Sequence, residues 1–531
     1  MGWTPNFSVR EKTMKMGSKN YLVWINASSL MQKEYVTPRV AAILMLAFCI
    51  RLLGIVSRPI WYDESIAILF AEKGFKAMLY GTLAPTGAGS ANVHPLGYYT
   101  SLWLWMKVFG ESLVAARLLS ILAALIALYL VYLIAFELMA DVKKALISML
   151  IASLSPFLVH YAQEIRMYSL LAMWLMLATY AYLKAVNSGH WKWWLLFSFS
   201  AAFAQYTHHL AAFYLIALAL WPLIQGDWKS LYRLTVAGVA ALIIYAPWAI
   251  QLPAQFSKVQ NSYWVARPDI SKFFTLILVY LTNTPLPAGS VALVLFMVLV
   301  IVTIGLVQTI KATRYSASST GLWLLYVAFA PALLLFLFSQ WQPVYIERAL
   351  LPSGTIFCIW LAWVLTSSYL STALQRVMVG MLVACSLFGL FQHVMYRDVP
   401  YGPFKELAVS LRQRMEIDDV IVHATKMSML PTLFFDRTLP QEYIDDPAGS
   451  GQDTLSLPTQ QVLGIRAQSD IESASHGARR VWLVVFQRDL ASFEADPNPK
   501  SVFQYLNSHY ALNSVETWNG LRVFLYMKKQ P

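Results

Sequence analysis

The stretch Arg58-Pro-Ile-Trp-Tyr-Asp-Glu-Ser65 follows the first apolar segment of membrane length and carries two adjacent carboxylates, Asp63 and Glu64. Trp61 and Tyr62 precede them, and the amphipathic rings of these residue types favour the boundary between membrane and water. A carboxylate at such a boundary can gain the proton affinity that a catalytic base needs. The same residues also fit a solvated loop beside a membrane anchor, so the rest of the chain must decide between the two.

The composition is that of an integral membrane protein. Of the 531 residues, 58% are hydrophobic and only 13% are charged, whereas about 25% are charged in soluble proteins. The mean hydropathy is +0.53. The net charge of +12 is distributed in short basic clusters between apolar segments. These clusters form no continuous basic face, so they indicate membrane topology and argue against a nucleic-acid partner.

Eleven apolar segments have the length and hydropathy of membrane spans. They lie at about 40–57, 113–138, 144–160, 168–186, 193–206, 208–225, 232–250, 289–310, 320–340, 352–370 and 377–396. Threading them alternately from a cytoplasmic amino terminus places the basic clusters on the cytoplasmic side, as the positive-inside rule requires. The region 193–225 is too long for one membrane crossing and barely long enough for two. We predict two crossings, with Thr207-His208-His209 at the turn.

We divide the chain into three regions. Residues 1–37 are polar and basic and precede an uncleaved anchor, so we expect a cytoplasmic tail. Residues 38–399 are predicted to form the transmembrane catalytic region, and its first external loop covers 58–112. Pro95–Phe109 in that loop is apolar but too short to span a bilayer, so we predict an interfacial helix. The same argument applies to a ten-residue apolar run that ends at Thr282.

Residues 400–531 differ from the rest of the chain because charged residues return and short β-type runs appear. Val420–His423 and Val481–Phe486 are two such runs, with helical stretches between them. This pattern predicts a soluble α/β domain, which the threading places outside the cytoplasm. The predicted fold is therefore a polytopic α-helical membrane protein with interfacial helices in its first external loop and an extracytoplasmic α/β domain. We expect it in the plasma membrane.

The same threading brings many ionisable residues at segment ends to one external face. Ionisable residues near the membrane are costly and tend to mark function. Here acids, imidazoles and guanidiniums converge from five loops. They are Asp63, Glu64, His94, Glu164, Arg166, His208, His209, Glu347 and Arg348.

Members of this group also have plain structural explanations. Glu164 and Arg166 could form a local ion pair that caps two helices, and His94 could cap the helix that follows it. His208 and its neighbour could be interfacial imidazoles, or one of them could join His94 and a carboxylate in a zinc or manganese site. Arg348 lies at the end of an apolar segment. Its side chain could simply extend to the membrane surface, or it could bind a phosphate group, and we favour phosphate binding.

Five short motifs, taken in their order along the chain, resemble those of a known superfamily. They are Trp61-Tyr-Asp-Glu-Ser65, His94-Pro95 followed by aromatics, Gln163-Glu-Ile-Arg166, Tyr206-Thr-His208 and Glu347-Arg-Ala-Leu-Leu-Pro352. Their order and sidedness resemble the GT-C superfamily of membrane glycosyltransferases. The resemblance is strongest to the bacterial branch similar to protein O-mannosyltransferases and the lipid A aminoarabinose transferase. It covers roughly residues 40–400, whereas the carboxy-terminal region matches only in position and general α/β character.

The resemblance implies inverting transfer of a hexose or pentose from a polyprenyl-phosphate donor to a lipid, glycan or protein acceptor. The reaction would take place on the membrane face away from the cytoplasm. Asp63 matches the acid assigned as catalytic base, and Glu164 matches the second-loop acid that helps to hold the site. His94 departs from the acidic residue that precedes the proline in the aminoarabinose transferase, which leaves the metal ligand set open.

Together these arguments predict the site. We expect catalytic roles for Asp63, Glu64 and Glu164. Substrate contacts are expected from Tyr62, His94, Arg166, His208, Glu347 and Arg348. No cofactor is certain, and a divalent metal is an open alternative with His94, His208 and Glu164 as candidate ligands.

The chemistry agrees with this assignment independently of the resemblance. Inverting transfer needs a base aligned with the acceptor nucleophile, and the leaving lipid phosphate needs an arginine or a metal at the membrane surface. The chief alternative is a polytopic transporter or a flippase of lipid-linked sugars, which needs charged or broken helices near the midplane. The predicted segments are nearly free of charge there. A scaffold with an external binding domain is a third interpretation, for which eleven segments are excessive.

Overall fold

The computed structural model describes residues 33–85, 94–256, 265–316, 319–446, 455–495 and 501–529. Most of the predicted cytoplasmic tail, 1–37, therefore lies outside the described residues. The described chain is mainly helical, and a mixed β-sheet follows the last long apolar helix. The polytopic helical architecture with a carboxy-terminal α/β region is confirmed.

The helices that precede the sheet follow each other with short connections in most places. Up to residue 249 they are α1 (Lys33–Leu52), α2 (Tyr62–Ala71), α3 (Phe75–Leu83), α4 (Gly97–Phe109), α5 (Leu113–Met139), α6 (Val142–Leu154), α7 (Pro156–Ala162), α8 (Tyr168–Ser188), α9 (Trp191–Thr207), α10 (Ala211–Ile224) and α11 (Trp228–Ala249). They continue with α12 (Ser271–Thr282), α13 (Ala288–Ser316), α14 (Thr320–Ser339), a 3₁₀ turn (Glu347–Leu350), α15 (Leu351–Leu365) and α16 (Thr372–Met395).

Each of the eleven predicted segments coincides with one of these helices or with the pair α6 and α7. Within the described residues, seven helices have the length and composition to cross a bilayer: α5, α8, α11, α13, α14, the 3₁₀ turn with α15, and α16. The pair α6 and α7, bent by 61°, counts as an eighth if it is one span. The multi-pass character is confirmed, while the number eleven stays a prediction because α9 and α10 have only 17 and 14 residues.

The bend between α6 and α7 has a local cause in the sequence. Pro156 lies at the start of α7, where its missing N–H costs nothing. Ser155 ends α6 and caps α7, because its hydroxyl accepts a hydrogen bond from the Leu158 backbone N–H. The chain therefore changes direction just before the second external loop, at 163–167, which carries Glu164 and Arg166.

The loop 58–112, predicted to be the first external one, contains three helices within its described residues, α2, α3 and α4. The predicted helix at Pro95–Phe109 is observed as α4, and the later apolar run is observed as α12. α4 packs closely on α9: a Cβ atom added at Gly97 would lie 2.4 Å from the carbonyl oxygen of Tyr206. Only glycine allows this approach, which brings the start of α4 next to the end of α9.

The carboxy-terminal region holds a sheet whose order, within the described residues, is β3-β2-β1-β4-β6-β5. Its strands are β1 (Asp419–His423), β2 (Gln441–Ile444), β3 (Ala467–Gln468), β4 (Arg480–Phe486), β5 (Tyr510–Trp518) and β6 (Leu521–Lys528), and its helices are α17 (Phe404–Arg414), α18 (Lys426–Phe435), α19 (Leu457–Leu463), α20 (Ile471–Ser475), α21 (Leu490–Glu494) and α22 (Val502–His509). Strands β3, β2, β1 and β4 are parallel, and β6 and β5 continue antiparallel. The two runs predicted as strands are β1 and β4.

The carboxy-terminal region packs directly on the first external loop. α18 contacts α2, and α19 contacts α3. Polar contacts also join these parts of the chain: Arg437 Nη2 donates to Glu72 Oε2 at 2.5 Å, and the Tyr80 hydroxyl donates to Gln461 Oε1 at 2.7 Å. Leu430 of α18 belongs to the same apolar core as the helices. The sheet region thus covers the loop that carries Asp63 and Glu64.

Candidate active site

α2 positions the two carboxylates of the opening motif. Trp61 is its extended N-cap residue, and Asp63 and Glu64 lie in its first turn. Free backbone N–H groups and the helix dipole favour negative charge at that end of a helix. Glu64 is fully buried and Asp63 is largely enclosed, and each is paired with an arginine.

Asp63 lies between two guanidinium groups. Arg348 Nη1 donates to Asp63 Oδ2 at 2.9 Å, and Arg166 Nε lies 3.6 Å from the same oxygen. Arg166 Nη1 also donates to the Asp63 carbonyl oxygen at 3.4 Å. The Asp63 side chain keeps 12% of its surface exposed. The Arg348 guanidinium lies 5.4 Å from the centre of the Tyr168 ring, a cation–π contact that fixes its plane.

Glu64 has a different environment from its neighbour. Arg117 of α5 binds both of its carboxylate oxygens, with Nε 3.1 Å from Oε1 and Nη2 2.8 Å from Oε2. The Ile165 backbone N–H donates to Oε1 at 3.2 Å. Arg117 Nη1 also donates to the carbonyl oxygens of Ile55 and Arg58. The pair is fully buried, and it joins α5 to the chain before α2 and to the second external loop.

Glu164 does not form the local ion pair with Arg166 that the sequence allowed. Its Oε1 atom lies 3.4 Å from Arg58 Nη2 and 3.2 Å from His160 Nε2. Its Oε2 atom is buried and has no hydrogen-bond partner in the part of the chain that the structure describes. Burial raises the pKa of Glu164, and the charge of Arg58 offsets part of that shift.

The polar network around Glu164 reaches two distant parts of the chain. Arg58 donates to the Tyr401 hydroxyl and lies over the Tyr401 ring. His160 Nδ1 is 3.1 Å from His393 Nδ1, and His393 Nε2 is 2.8 Å from Gln163 Oε1. A small cleft adjoins this network and is lined by Arg58 and both imidazoles, among others.

His94 and His208 face each other, as the helix contact at Gly97 requires. Their ring centres are 5.2 Å apart. The Leu210 backbone N–H donates to His208 Nδ1 at 3.1 Å, so Nε2 carries the proton in the neutral ring. Nε2 is buried and has no hydrogen-bond partner within the described ranges. Burial lowers the pKa of His208 to about 3, so the ring is neutral at physiological pH.

Two other predicted residues are tied to groups outside this cluster. His209 Nδ1 lies 2.9 Å from the Tyr245 hydroxyl, and His209 Nε2 lies 3.0 Å from Gln255 Oε1. Glu347 Oε1 accepts from Lys272 of α12 at 2.8 Å. Glu347 therefore anchors α12 to the 3₁₀ turn, while the adjacent arginine reaches Asp63.

The three candidate metal ligands are not brought together. His94 and His208 are neighbours, but the Glu164 Oε1 atom is engaged by Arg58 and His160. Among the residues that the structure describes, no three His, Cys, Asp or Glu side chains are placed to hold a metal ion. Metal dependence stays a prediction.

The structure adds residues that the sequence analysis did not assign to the site. Arg58 and Arg117 were visible in the sequence as arginines near segment ends, a placement that tends to mark function. His160 lies in the same short stretch as Glu164. Tyr401 gave no local signal, because it lies 343 positions from its partner Arg58.

Comparisons with known proteins bear on the fold that holds this cluster. Residues 93–251 match the family model described as dolichyl-phosphate-mannose-protein mannosyltransferase. ArnT from Cupriavidus metallidurans in the apo state aligns with a TM-score of 0.59 and 13% identity, over 93% of this chain and 98% of that chain. The chain has the fold of the GT-C glycosyltransferases.

Two further solved structures share the GT-C fold with this chain. ArnT from Cupriavidus metallidurans bound to undecaprenyl phosphate aligns with a TM-score of 0.57 and 13% identity, over 93% of this chain and 98% of that chain. The Archaeoglobus fulgidus oligosaccharyltransferase tethered with an acceptor peptide gives 0.50 and 11%, over 95% of this chain and 75% of that one. A sequence comparison with curated proteins gives no match. The resemblance expected from the motifs is confirmed.

Proposed function

We propose that the protein is an inverting glycosyltransferase that moves a sugar from a polyprenyl-phosphate donor to a lipid, glycan or protein acceptor outside the cytoplasm. The observation that carries this proposal is Asp63, a partly exposed carboxylate held between Arg348 and Arg166 at the start of α2. The shared fold with ArnT, which has been solved with undecaprenyl phosphate, supports a lipid-phosphate carrier.

The arrangement supplies the two charges that the reaction needs. Asp63 accepts the proton of the acceptor hydroxyl while the acceptor oxygen forms its bond to the anomeric carbon of the sugar. The bond between that carbon and the phosphate oxygen breaks, and the electron pair leaves with the lipid phosphate. Arg348 and Arg166 stabilise the charge that develops on the phosphate.

The ion pair between Arg348 and Asp63 has a place in this scheme. Arg348 is bound to Asp63 in the structure, and a lipid phosphate would compete for the same guanidinium. Binding of the donor would therefore draw Arg348 towards the phosphate and release Asp63 to act as a base. The remaining acids have supporting roles: Glu64 fixes α2 through Arg117, and Glu164 holds Arg58 and so the connection to Tyr401.

The decisive experiment measures transfer or hydrolysis of sugar from synthetic polyprenyl-phosphate donors by purified protein in detergent. Asp63→Asn keeps the size of the side chain but removes the base, so we expect turnover to fall by at least a thousandfold with only a small change in melting temperature. Glu72→Gln is the matched control, because Glu72 directly follows α2 but pairs with Arg437 at the edge of the loop.

The outcomes separate the candidate functions. Turnover that depends on Asp63 and survives in the Glu72→Gln control supports the proposal. Full turnover in Asp63→Asn would contradict the assignment of the base. A folded wild-type protein that turns over no donor in a broad panel would favour the transporter or flippase instead.

A further inference from the structure

The carboxy-terminal region places a charged pair beside the proposed base. Lys426, the first residue of α18, lies with its Nζ atom 6.0 Å from the ring centre of Tyr62, the residue before Asp63. The same Nζ donates to Asp446 Oδ2 at 2.8 Å. The two side chains are only 6% and 3% exposed. An ion pair from the sheet region is thus buried against the loop that carries the catalytic carboxylate.

A buried phenol of the same region interacts electrostatically with Tyr62. Tyr443 of β2 is fully buried, and its hydroxyl has no hydrogen-bond partner among the described residues. Burial raises the pKa of Tyr62, and the charges of Asp63 and Asp446 raise it further. Burial and the charges of Asp445 and Asp446 likewise raise the pKa of Tyr443. The two phenols therefore lie within one electrostatic environment that spans both regions of the chain.

Stability alone gives a poor account of these residues. A buried ion pair is weak evidence for stability, because apolar side chains of similar volume often serve as well or better. A buried hydroxyl without a partner destabilises the fold, because it has lost its hydrogen bonds to water and gained none in return. Both features are accounted for if a polar ligand enters beside Tyr62 and supplies the missing hydrogen bonds.

The chemistry of the cluster fits one class of ligand. Lysine offers up to three N–H donors, aspartate offers only acceptors, and a tyrosine hydroxyl offers both. Neighbouring hydroxyl groups of a sugar ring need donors and acceptors side by side, and the apolar face of the ring suits an aromatic side chain. The ion pair has no net charge, so the cluster suits hydroxyl groups better than a second phosphate.

We propose that Lys426 and Asp446, together with Tyr62 and Tyr443, form a subsite for the hydroxyl groups of a sugar, and that the carboxy-terminal region thereby selects the sugar handled at Asp63. This inference rests on the proposed function. The sugar belongs either to the polyprenyl-phosphate donor or to a glycan acceptor, since both present the same hydroxyl groups.

The test compares sugars with analogues that lack one ring hydroxyl. The double variant Lys426→Met with Asp446→Asn removes both charges, so neither is left buried without a partner. We expect its KM for the preferred sugar to rise at least tenfold and its preference over the deoxy analogue to fall at least tenfold. Binding of polyprenyl phosphate without a sugar should be unchanged.

Two further variants keep the test decisive. Arg437→Met is the matched control, because Arg437 pairs with Glu72 at the same contact between the regions and should leave KM and sugar preference unchanged. Tyr443→Phe removes only the unpartnered hydroxyl, so the protein should fold normally. Its preference for the complete sugar over the deoxy analogue should fall at least threefold. If the double variant fails to fold, Tyr443→Phe alone tests whether the cluster is a sugar subsite.

The two sources of the sugar give different kinetics. A donor subsite raises KM for donor hydrolysis in the absence of acceptor, whereas a glycan-acceptor subsite raises only the KM for the acceptor. Wild-type turnover with unchanged KM and preference in the folded variants would overturn the subsite and leave the proposed function standing. A wild-type protein with no turnover would overturn both.

Discussion

Asp63 and Glu64 are adjacent in the sequence, yet they have different partners in the structure. Asp63 keeps part of its surface exposed between two arginines, while Glu64 is fully enclosed with Arg117. Consecutive residues of a helix point about 100° apart, so adjacent acids can face a site and a core respectively. We therefore infer that the first acid reacts and that the second holds the loop in place.

This difference predicts opposite effects of two similar substitutions. Glu64→Gln leaves the buried Arg117 without a counter-charge, so we expect a loss of roughly 3–5 kcal/mol in the free energy of unfolding. Asp63→Asn should cost much less stability, because Asp63 and Arg348 both keep part of their surface exposed and water screens the charge left on the arginine. Thermal melting of both variants in detergent measures the difference. The double variant Glu64→Met with Arg117→Met removes both charges and should recover part of the lost stability. Equal melting temperatures for Glu64→Gln and Asp63→Asn would contradict the interpretation.

Glu164 gives a prediction for pH dependence. Its pKa is raised above the ordinary value of 4.5 by burial, so the folded protein binds this proton more tightly than the unfolded chain does. The resulting stability is fully present below pH 4.5 and is lost as pH rises through the raised pKa. Glu164→Gln cannot lose a proton, so its melting temperature relative to the wild type should increase as pH rises above 4.5. Parallel curves for the two proteins would contradict this expectation.

The contact between α4 and α9 holds the two facing imidazoles. Gly97 lies at the start of α4, and a Cβ atom there would overlap the carbonyl oxygen of Tyr206. Gly97→Ala must therefore separate the two helices, and His94 and His208 move apart with them. We expect at least a tenfold loss of activity and a lower melting temperature. Gly238→Ala is the control, because nothing lies within 4 Å of a Cβ atom at that position of α11.

The sequence predicted the helices well because the bilayer imposes a strong local pattern. A span must be apolar over about 20 residues, and this requirement is readable without knowledge of any other part of the chain. The strands β1 and β4 were predictable for a similar reason, since buried parallel strands are continuous apolar runs. The short helices α2 and α3 gave no such pattern, and their position became clear only from the structure.

The sequence was enough to bring several charged residues of the site to one face but not to show how they pair. The positive-inside rule was enough to bring Asp63, Arg166 and Arg348 to one face. It gave no information on which arginine meets which acid, because such contacts depend on how distant helices pack. Arg348 and Asp63 are separated by 285 positions, and no periodic pattern encodes a contact over that distance. The contact of Lys426 with Tyr62 was missed for the same reason.

The predicted topology has a direct test. In a variant without native cysteines, Lys143→Cys places a thiol in the first turn of α6, and Ala511→Cys places one on β5. Both positions are exposed in the structure. An impermeant thiol reagent applied outside intact cells should label the second site and reach the first only after lysis. Labelling of both sites from one side would contradict the eleven-span threading.

The shortness of α9 and α10 has a consequence for the surrounding lipid. Helices of 17 and 14 residues are about 25 Å and 21 Å long, whereas the hydrocarbon core of a bilayer is about 30 Å thick. Both helices carry outward apolar side chains, such as Phe199 and Ile216. If each helix crosses the bilayer as predicted, this hydrophobic mismatch is relieved by local thinning of the membrane. The headgroup layer would then dip beside His208, and a carrier lipid would need to rise less far to bring its phosphate to the arginines.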